Sequence, residues 1–326
     1  MSDESDNRRQ ASSSFIPHTS YLIPSPSSRF AFAAVFVGAT AIGFAPLFVR
    51  LSKEVGPSMT AAYRVLLALP LLWIWWRMEQ RGAKPSPQPA SARDFGGLAV
   101  AGLLFVADLA LWHWSLHLTT VTNSTLLTNL APVVVTVAAW MFLHERLTPT
   151  FLVGMMLALA GAVMLVGRSF QIERQHLWGD ALSVFTALFY AGYLLSVKLL
   201  RRRYSVATIM SWSGLVSGPG FAVVGWLSGE KMVPVSGHGW LVLALLALVC
   251  HVAGQCLIGY GLGHLPASFS AVSLLWQPVV AAALAWAVLN EGLGLLQVAG
   301  GVVILLGIAT ASGTLNRAGT TDAPKS

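Results

Sequence analysis

Leu130-Ala-Pro132-Val-Val-Val-Thr-Val-Ala-Ala-Trp140-Met-Phe-Leu-His-Glu145-Arg-Leu147 returns later in the chain as Trp276-Gln-Pro278-Val-Val-Ala-Ala-Ala-Leu-Ala-Trp286-Ala-Val-Leu-Asn-Glu291-Gly-Leu293. Pro132 and Pro278, Trp140 and Trp286, Glu145 and Glu291, Gly154 and Gly300, and Gly161 and Gly307 are each 146 positions apart. An offset that holds through apolar sequence reads as two copies of one membrane module. Paired modules of this kind are one way to build a binding site at the middle of a bilayer.

Composition supports a polytopic membrane protein. Charged residues make up 10% of the chain and the apolar set 55%, where a soluble domain carries about 25% charged residues. The mean hydropathy is +0.67. The net charge of +7 does not point to nucleic acid, because the 20 Lys and Arg are spread over connecting loops without a basic domain or an RNA-binding motif. Lipid and a small molecule are the partners expected. Cys250 and Cys256, six apart in one apolar segment, match neither a redox CxxC nor a zinc spacing and read as packing residues. No cofactor is expected.

From Phe30 onward the hydropathy divides into segments of roughly 18 to 24 residues, each long enough as a helix to cross a bilayer core. The first five are read near 30–49, 57–76, 95–117, 122–142 and 150–167, and the second five near 178–198, 206–228, 239–262, 267–289 and 293–312. The expected fold is all-α, ten transmembrane helices arranged as two five-helix repeats at 30–168 and 178–313. Residues 1–29 lack the apolar run of a secretory signal and are expected as a disordered tail, with a second tail at 314–326. The clustered prolines after Lys84 mark the clearest loop.

Basic residues set the orientation. With the amino terminus in the cytoplasm, fourteen Lys and Arg fall on that side, five on the other, and Arg64 lies inside a span. This is the bias of the positive-inside rule, so both termini are expected in the cytoplasm of a plasma (inner) membrane. Five helices per copy also force the second copy to enter upside down. The repeat is therefore inverted, an arrangement that gives a carrier two exchangeable conformations around a site near the midplane.

The set formed by Pro132, the alanine-rich helix, Leu143-His-Glu145-Arg-Leu147, Gly154 and Gly161, and its copy from Pro278 to Gly307, resembles the EamA module of the drug/metabolite transporter superfamily. Arg64 in the second span and Gly179-Asp180 opening the sixth fit as well, and the resemblance covers about residues 30–313. It implies a ten-helix carrier of small metabolites such as amino acids, amines or nucleotide-linked sugars. One departure matters: at an offset of 148, Arg64 aligns with Trp212, so any role of Arg64 is asymmetric.

Arg64 and Asp108 are the ionisable residues set inside spans, where a charge is costly unless it faces protein or water. They are expected to pair, lining a cavity in which Asp108 contacts a cationic group or exchanges a proton; a static structural pair is the other reading. Pro132 and Pro278 cannot donate to the carbonyls of Thr128 and Leu274, so both helices should kink and expose a backbone acceptor. Asn129, Trp276 and Gln277 sit beside those kinks and suit a polar ligand or an interhelical bond. Trp112, Tyr190, Tyr193, His251 and Gln255 complete the candidate pocket, with packing as their plainer use; His113 is similar. The histidines lack a carboxylate at ligand spacing, so no metal site is expected.

Glu145, Glu291 and Asp180 are read as structural caps, the glutamates accepting from the amides that open the following helix. Trp73, Trp75 and Trp76 read as an interfacial belt. The glycine pairs suit close backbone approach, bracing the module or making a homodimer contact. Rival classes find little support: His144-Glu145 is not continued as HExxH, Ser213-Gly214 and Ser217-Gly218 lack the glycine of a GxSG turn, and no phosphate-binding loop is present. A non-transporting receptor or scaffold stays open as an alternative.

Overall fold

The computed structural model describes residues 26–82, 85–166, 176–289 and 292–317. Among the described residues there are only helices, turns and loops. The first half holds α1 (Pro26–Gly43), α2 (Ala45–Leu51), α3 (Pro57–Leu66), α4 (Leu69–Arg81), α5 (Ala92–Leu118), α6 (Val121–Thr128), α7 (Ala131–Leu143) and α8 (Pro149–Val166). The second holds α9 (Leu177–Leu200), α10 (Val206–Leu227), α11 (Gly237–Leu245), a π-helical segment (Leu246–Gln255), α12 (Cys256–His264), α13 (Ala267–Ser273), α14 (Trp276–Leu289) and α15 (Leu295–Arg317). Joined end to end where they continue one another, they make 10 helices long and apolar enough to cross a membrane, five in each half.

Proline explains most of the subdivisions. Pro46, Pro70 and Pro132 each stand in the first turn of α2, α4 and α7, where a missing amide donor costs nothing to the new helix but stops the old one. The fourth span breaks at Asn129–Leu130, just ahead of Pro132, and the ninth at Leu274–Leu275, just ahead of Pro278. The breaks at Pro46 and Pro70 are additional. The second span also runs further than its apolar stretch, to Arg81, because Arg77 and Arg81 stay exposed on the helix while the chain remains helical. The first helix begins at Pro26 and the last reaches Arg317, so the tails expected at 1–29 and 314–326 fall largely outside the described residues.

The inversion is visible where α8 meets α15. A Cβ placed on Gly154 would lie 2.7 Å from the Gly307 carbonyl oxygen, and one on Gly161 2.7 Å from that of Gly300. As the first helix advances from 154 to 161, its neighbour runs back from 307 to 300, so the two equivalent helices are antiparallel. The glycine faces are thus spent on joining the two halves of one chain, where small residues let backbones approach.

The remaining contacts repeat the same symmetry. The Gly56 amide donates to the Lys231 carbonyl at 3.1 Å, and the Ser205 amide donates to Ser86 Oγ at 3.2 Å. Each tie joins the start of one half's second span to the loop preceding the other half's third span. Arg203 bonds Asp94 at 2.7 Å near the start of α5, while Glu54 accepts from the Val235 and Ser236 amides and the Ser236 hydroxyl at the start of α11. The Ser236 hydroxyl, then the Ser236 and Val235 amides, hold the half-buried Glu54 carboxyl below its ordinary range.

Between the halves, α5 runs along α9, α10 packs against α3 and α5, and α1 lies on α12 and the π segment. Phe105, Phe221, Leu194, Met210 and Ile258 are buried there. The polar residues that matter sit inside this shell.

Candidate functional site

The site is built from both halves. The first contributes Arg64 from α3, Phe105 and Asp108 from α5, and Asn129 at the break between α6 and α7. The second contributes Tyr190 and Tyr193 from α9, His251 and Gln255 from the π segment, and Trp276 and Gln277 from the first turn of α14. Arg64, Asp108 and His251 are 8%, 5% and 3% exposed.

Arg64 is the electrostatic hub. Asp108, Tyr190, Tyr193, Cys250 and His251 all lie within range of its charge. The expected ion pair with Asp108, however, is not closed. Among the described residues the salt bridge within 4.0 Å is Arg203–Asp94, and Arg64 instead donates from Nη2 to the Cys250 carbonyl at a long 3.4 Å and stands 5.9 Å from the Phe105 ring centroid. Its Nε has no hydrogen-bond partner among the described residues. Arg64 and Asp108 lie within electrostatic range of each other without direct contact.

Aromatic and amide groups frame that gap. Phe105 stacks on Tyr193 at 5.0 Å, meets Phe221 edge-on at 5.6 Å and lies 6.1 Å from the His251 ring. Gln255 donates to the Tyr193 hydroxyl at 2.8 Å, and Tyr190 faces Gln277. Trp276 donates from its indole to Thr40 at 2.9 Å and lies 5.8 Å from Phe36, which draws the first span into the wall. Both ring nitrogens of His251 and Nδ2 of Asn129 are buried without a hydrogen-bond partner among the described residues. Unpaired buried polar atoms are rare in folded proteins, which makes these groups candidates for contact with a polar ligand.

The π segment is what aims His251 and Gln255 inward. A π turn widens the helix by one residue per hydrogen-bonded loop, and such turns recur at functional sites. It also leaves the Cys250 carbonyl facing Arg64. On the other side Gly254 packs against the Gly38 backbone of α1, where a Cβ on Gly38 would lie 2.9 Å from the Gly254 oxygen. Cys250 Sγ donates to the Ala41 carbonyl at 3.2 Å, and both cysteines are free and buried.

Other expectations need correction. Trp112 is half-buried, with its ring 5.3 Å from that of His113. His113 lies within electrostatic range of Glu230 and His117. Glu145 is a cap, but of a distant helix: it accepts from the Ala267 amide at 2.6 Å, the Ser268 amide at 3.1 Å and the Ser268 hydroxyl at 2.6 Å, all at the start of α13. His144, left-handed at φ 54°, ends α7 and turns the chain so that Glu145 leaves the local helix. Nearby, Lys198 donates to the Leu265 carbonyl at 2.6 Å. Asp180 likewise reaches out of its own helix, accepting from Thr119 at 2.6 Å and Asn123 at 3.1 Å. Glu291 lies outside the described residues. Trp73 and Trp76 join Trp212 and Phe95 in an aromatic cluster, leaving Trp75 exposed as an interfacial residue.

Sequence reasoning missed Phe105, Thr40 and the Cys250 carbonyl. Phe105 was within reach, three residues before Asp108 and so on the same helical face. Two hollows on the flank of the bundle, about 330 Å³ along Val133–Phe142 of α7 and about 190 Å³ between α2 and α14, are lined mainly by apolar side chains and do not include the polar cluster.

A ten-helix membrane bundle with an inverted repeat and a polar cluster between its halves defines the class of membrane transporters. The model of the EamA-like transporter family matches residues 29–167 and again 177–313, and the chain belongs to that family. It is 28% identical over 271 residues to an uncharacterized transporter of Archaeoglobus fulgidus, covering 80% of this chain and 90% of the relative. It is 26% identical over 266 residues to the uncharacterized transporter YyaM of Bacillus subtilis, covering 79% and 85%. A crystal structure described only as that of a protein has a similar fold, with a TM-score of 0.72 at 16% identity, over 90% of this chain and 98% of that one.

Proposed function

We propose that the protein is a secondary transporter that moves small polar metabolites, such as amino acids or amines, by alternating access between the two faces of a plasma membrane. The observation that carries this reading is the cluster of buried Arg64, Asp108, Tyr193, His251 and Gln255 with half-buried Tyr190 and Gln277, supplied by both halves. Units 30–168 and 178–313 move against each other, and Asn129 and Trp276 at the proline breaks line the path. Trp112 lies at its margin. Both termini face the cytoplasm, in keeping with the loop basic residues. Export driven by a proton gradient or by exchange is the coupling expected, with Asp108 as the group that takes up the proton or meets a cationic end of the substrate.

Counterflow and gradient-driven flux of labelled metabolites in vesicles test the proposal. The expected result is saturable flux that falls at least about tenfold, some 1.4 kcal/mol, in Asp108→Asn at equal protein incorporation. Unchanged flux in that variant removes Asp108 from the mechanism, and absence of flux for every polar metabolite tried favours a receptor or scaffold. Labelling of single cysteines placed at His144 and Asn290 from opposite compartments tests the orientation.

A further inference from the structure

Arg64 is a buried cation whose needs the protein does not meet. Guanidinium stays charged in any protein environment and offers five donors in a planar fork. Among the described residues, one donor makes a 3.4 Å bond to a backbone carbonyl, Nε makes none, and no carboxylate closes a salt bridge with it. His251 follows Cys250 in the chain, and its ring lies within electrostatic range of Arg64. It is 3% exposed, and both ring nitrogens are without a hydrogen-bond partner among the described residues. Phe105 backs both groups, 5.9 Å from the guanidinium carbon and 6.1 Å from the imidazole.

We propose that Arg64 and His251 form a subsite for a carboxylate group of the carried molecule. A carboxylate presents two coplanar oxygens, one for the guanidinium fork and one for an imidazole N–H, and its single negative charge balances the one fixed cation. The Phe105 ring excludes water from one side of the pair, which strengthens a charge-assisted bond. The anion takes over the donor now spent on Cys250, so binding releases that carbonyl of the π segment. The subsite deepens the transporter reading by naming one end of the substrate, and it rests on that reading only for the substrate's being carried.

The test is a thermal-unfolding titration of the purified full-length protein with sodium acetate and sodium benzoate against sodium chloride at equal ionic strength, with acetamide and benzamide as uncharged counterparts. The expected result is a saturable rise in unfolding temperature with the carboxylates and none with the amides, lost in Arg64→Gln and shifted to at least about tenfold higher concentration in His251→Phe. If Arg64→Gln does not fold, His251→Phe carries the test. Carboxylates indistinguishable from chloride, or an equal response in the folded variants, overturns the subsite. Carboxylate stabilisation without flux in vesicles would leave the subsite and defeat the transporter reading; flux of uncharged compounds untouched by Arg64→Gln, with no carboxylate effect, would do the reverse.

Discussion

The third and eighth spans hold equivalent places in the two halves and are built differently. Both begin at a serine cap, Ser91 and Ser236, whose hydroxyls accept from the amides three residues on. From there α5 is one unbroken α-helix of 27 residues, whereas its counterpart passes through ten residues of π-helix before α12. The first brings Phe105 and Asp108 to the centre; the second brings His251 and Gln255. Duplication preserved the frame, and the chemistry at the centre diverged from it. Arg64 and Trp212 show the same division, since the first enters the polar cluster and the second joins Trp73, Trp76 and Phe95.

If the frame is symmetric, damage to it should be equal in either half. Gly154→Val and Gly307→Val each drive a side chain into the facing backbone, and both should abolish the monodisperse folded protein by size-exclusion chromatography, well beyond the roughly 1–3 kcal/mol of ordinary overpacking. Gly313→Val, open on its surroundings, should leave it intact. A strong effect in one half alone would break the symmetric reading of the seam.

The site should respond asymmetrically. Arg64→Gln is expected to lower flux at least about tenfold, while Trp212→Phe at the matching position should change it by less than about threefold at equal incorporation. Equal losses would place Trp212 in the path. Deleting Leu248 from the π segment sharpens the comparison further, because removing one residue lets that span adopt the regular winding of α5. The deletion should keep a folded protein and lose flux, as His251 and Gln255 rotate away from Tyr193 and Phe105. Retained flux would make the π winding incidental.

The smallest effects belong to the loops. Glu54 has a carboxyl lowered by its bonds to Ser236 and Val235, so its contribution to stability is present above the unfolded-state value of about 4.3 and is lost as pH falls through the lower folded value. Glu54→Gln should flatten that acid-side fall in unfolding temperature. Its counterpart Arg203→Ala removes a pair whose arginine is largely exposed, and should cost no more than about 1 kcal/mol by denaturation.

The spans were legible because crossing a bilayer demands long apolar runs, and the breaks ahead of Pro132 and Pro278 because a missing amide is written in the residue itself. Pro46 and Pro70 carried the same information. Burial of Arg64 and Asp108 followed from charge in apolar sequence, but whether they touch depends on side-chain direction, which periodicity does not encode. The π segment left no trace in hydropathy, since an i→i+5 bond and an i→i+4 bond use the same residues. Glu145 was recognised as a cap, yet its target lies 122 positions away and only the folded chain brings it near.

The glycine seam between α8 and α15 sets the terms on which the two halves can part. With four backbone positions in near contact and no side chain between them, there is no slack for the helices to slide lengthwise or to separate. What the contact permits is a slight roll of one smooth ridge over another. On the transport reading proposed above, opening at the polar centre would turn on this line as a door turns on its jamb, with the widest excursions at the far side of the bundle.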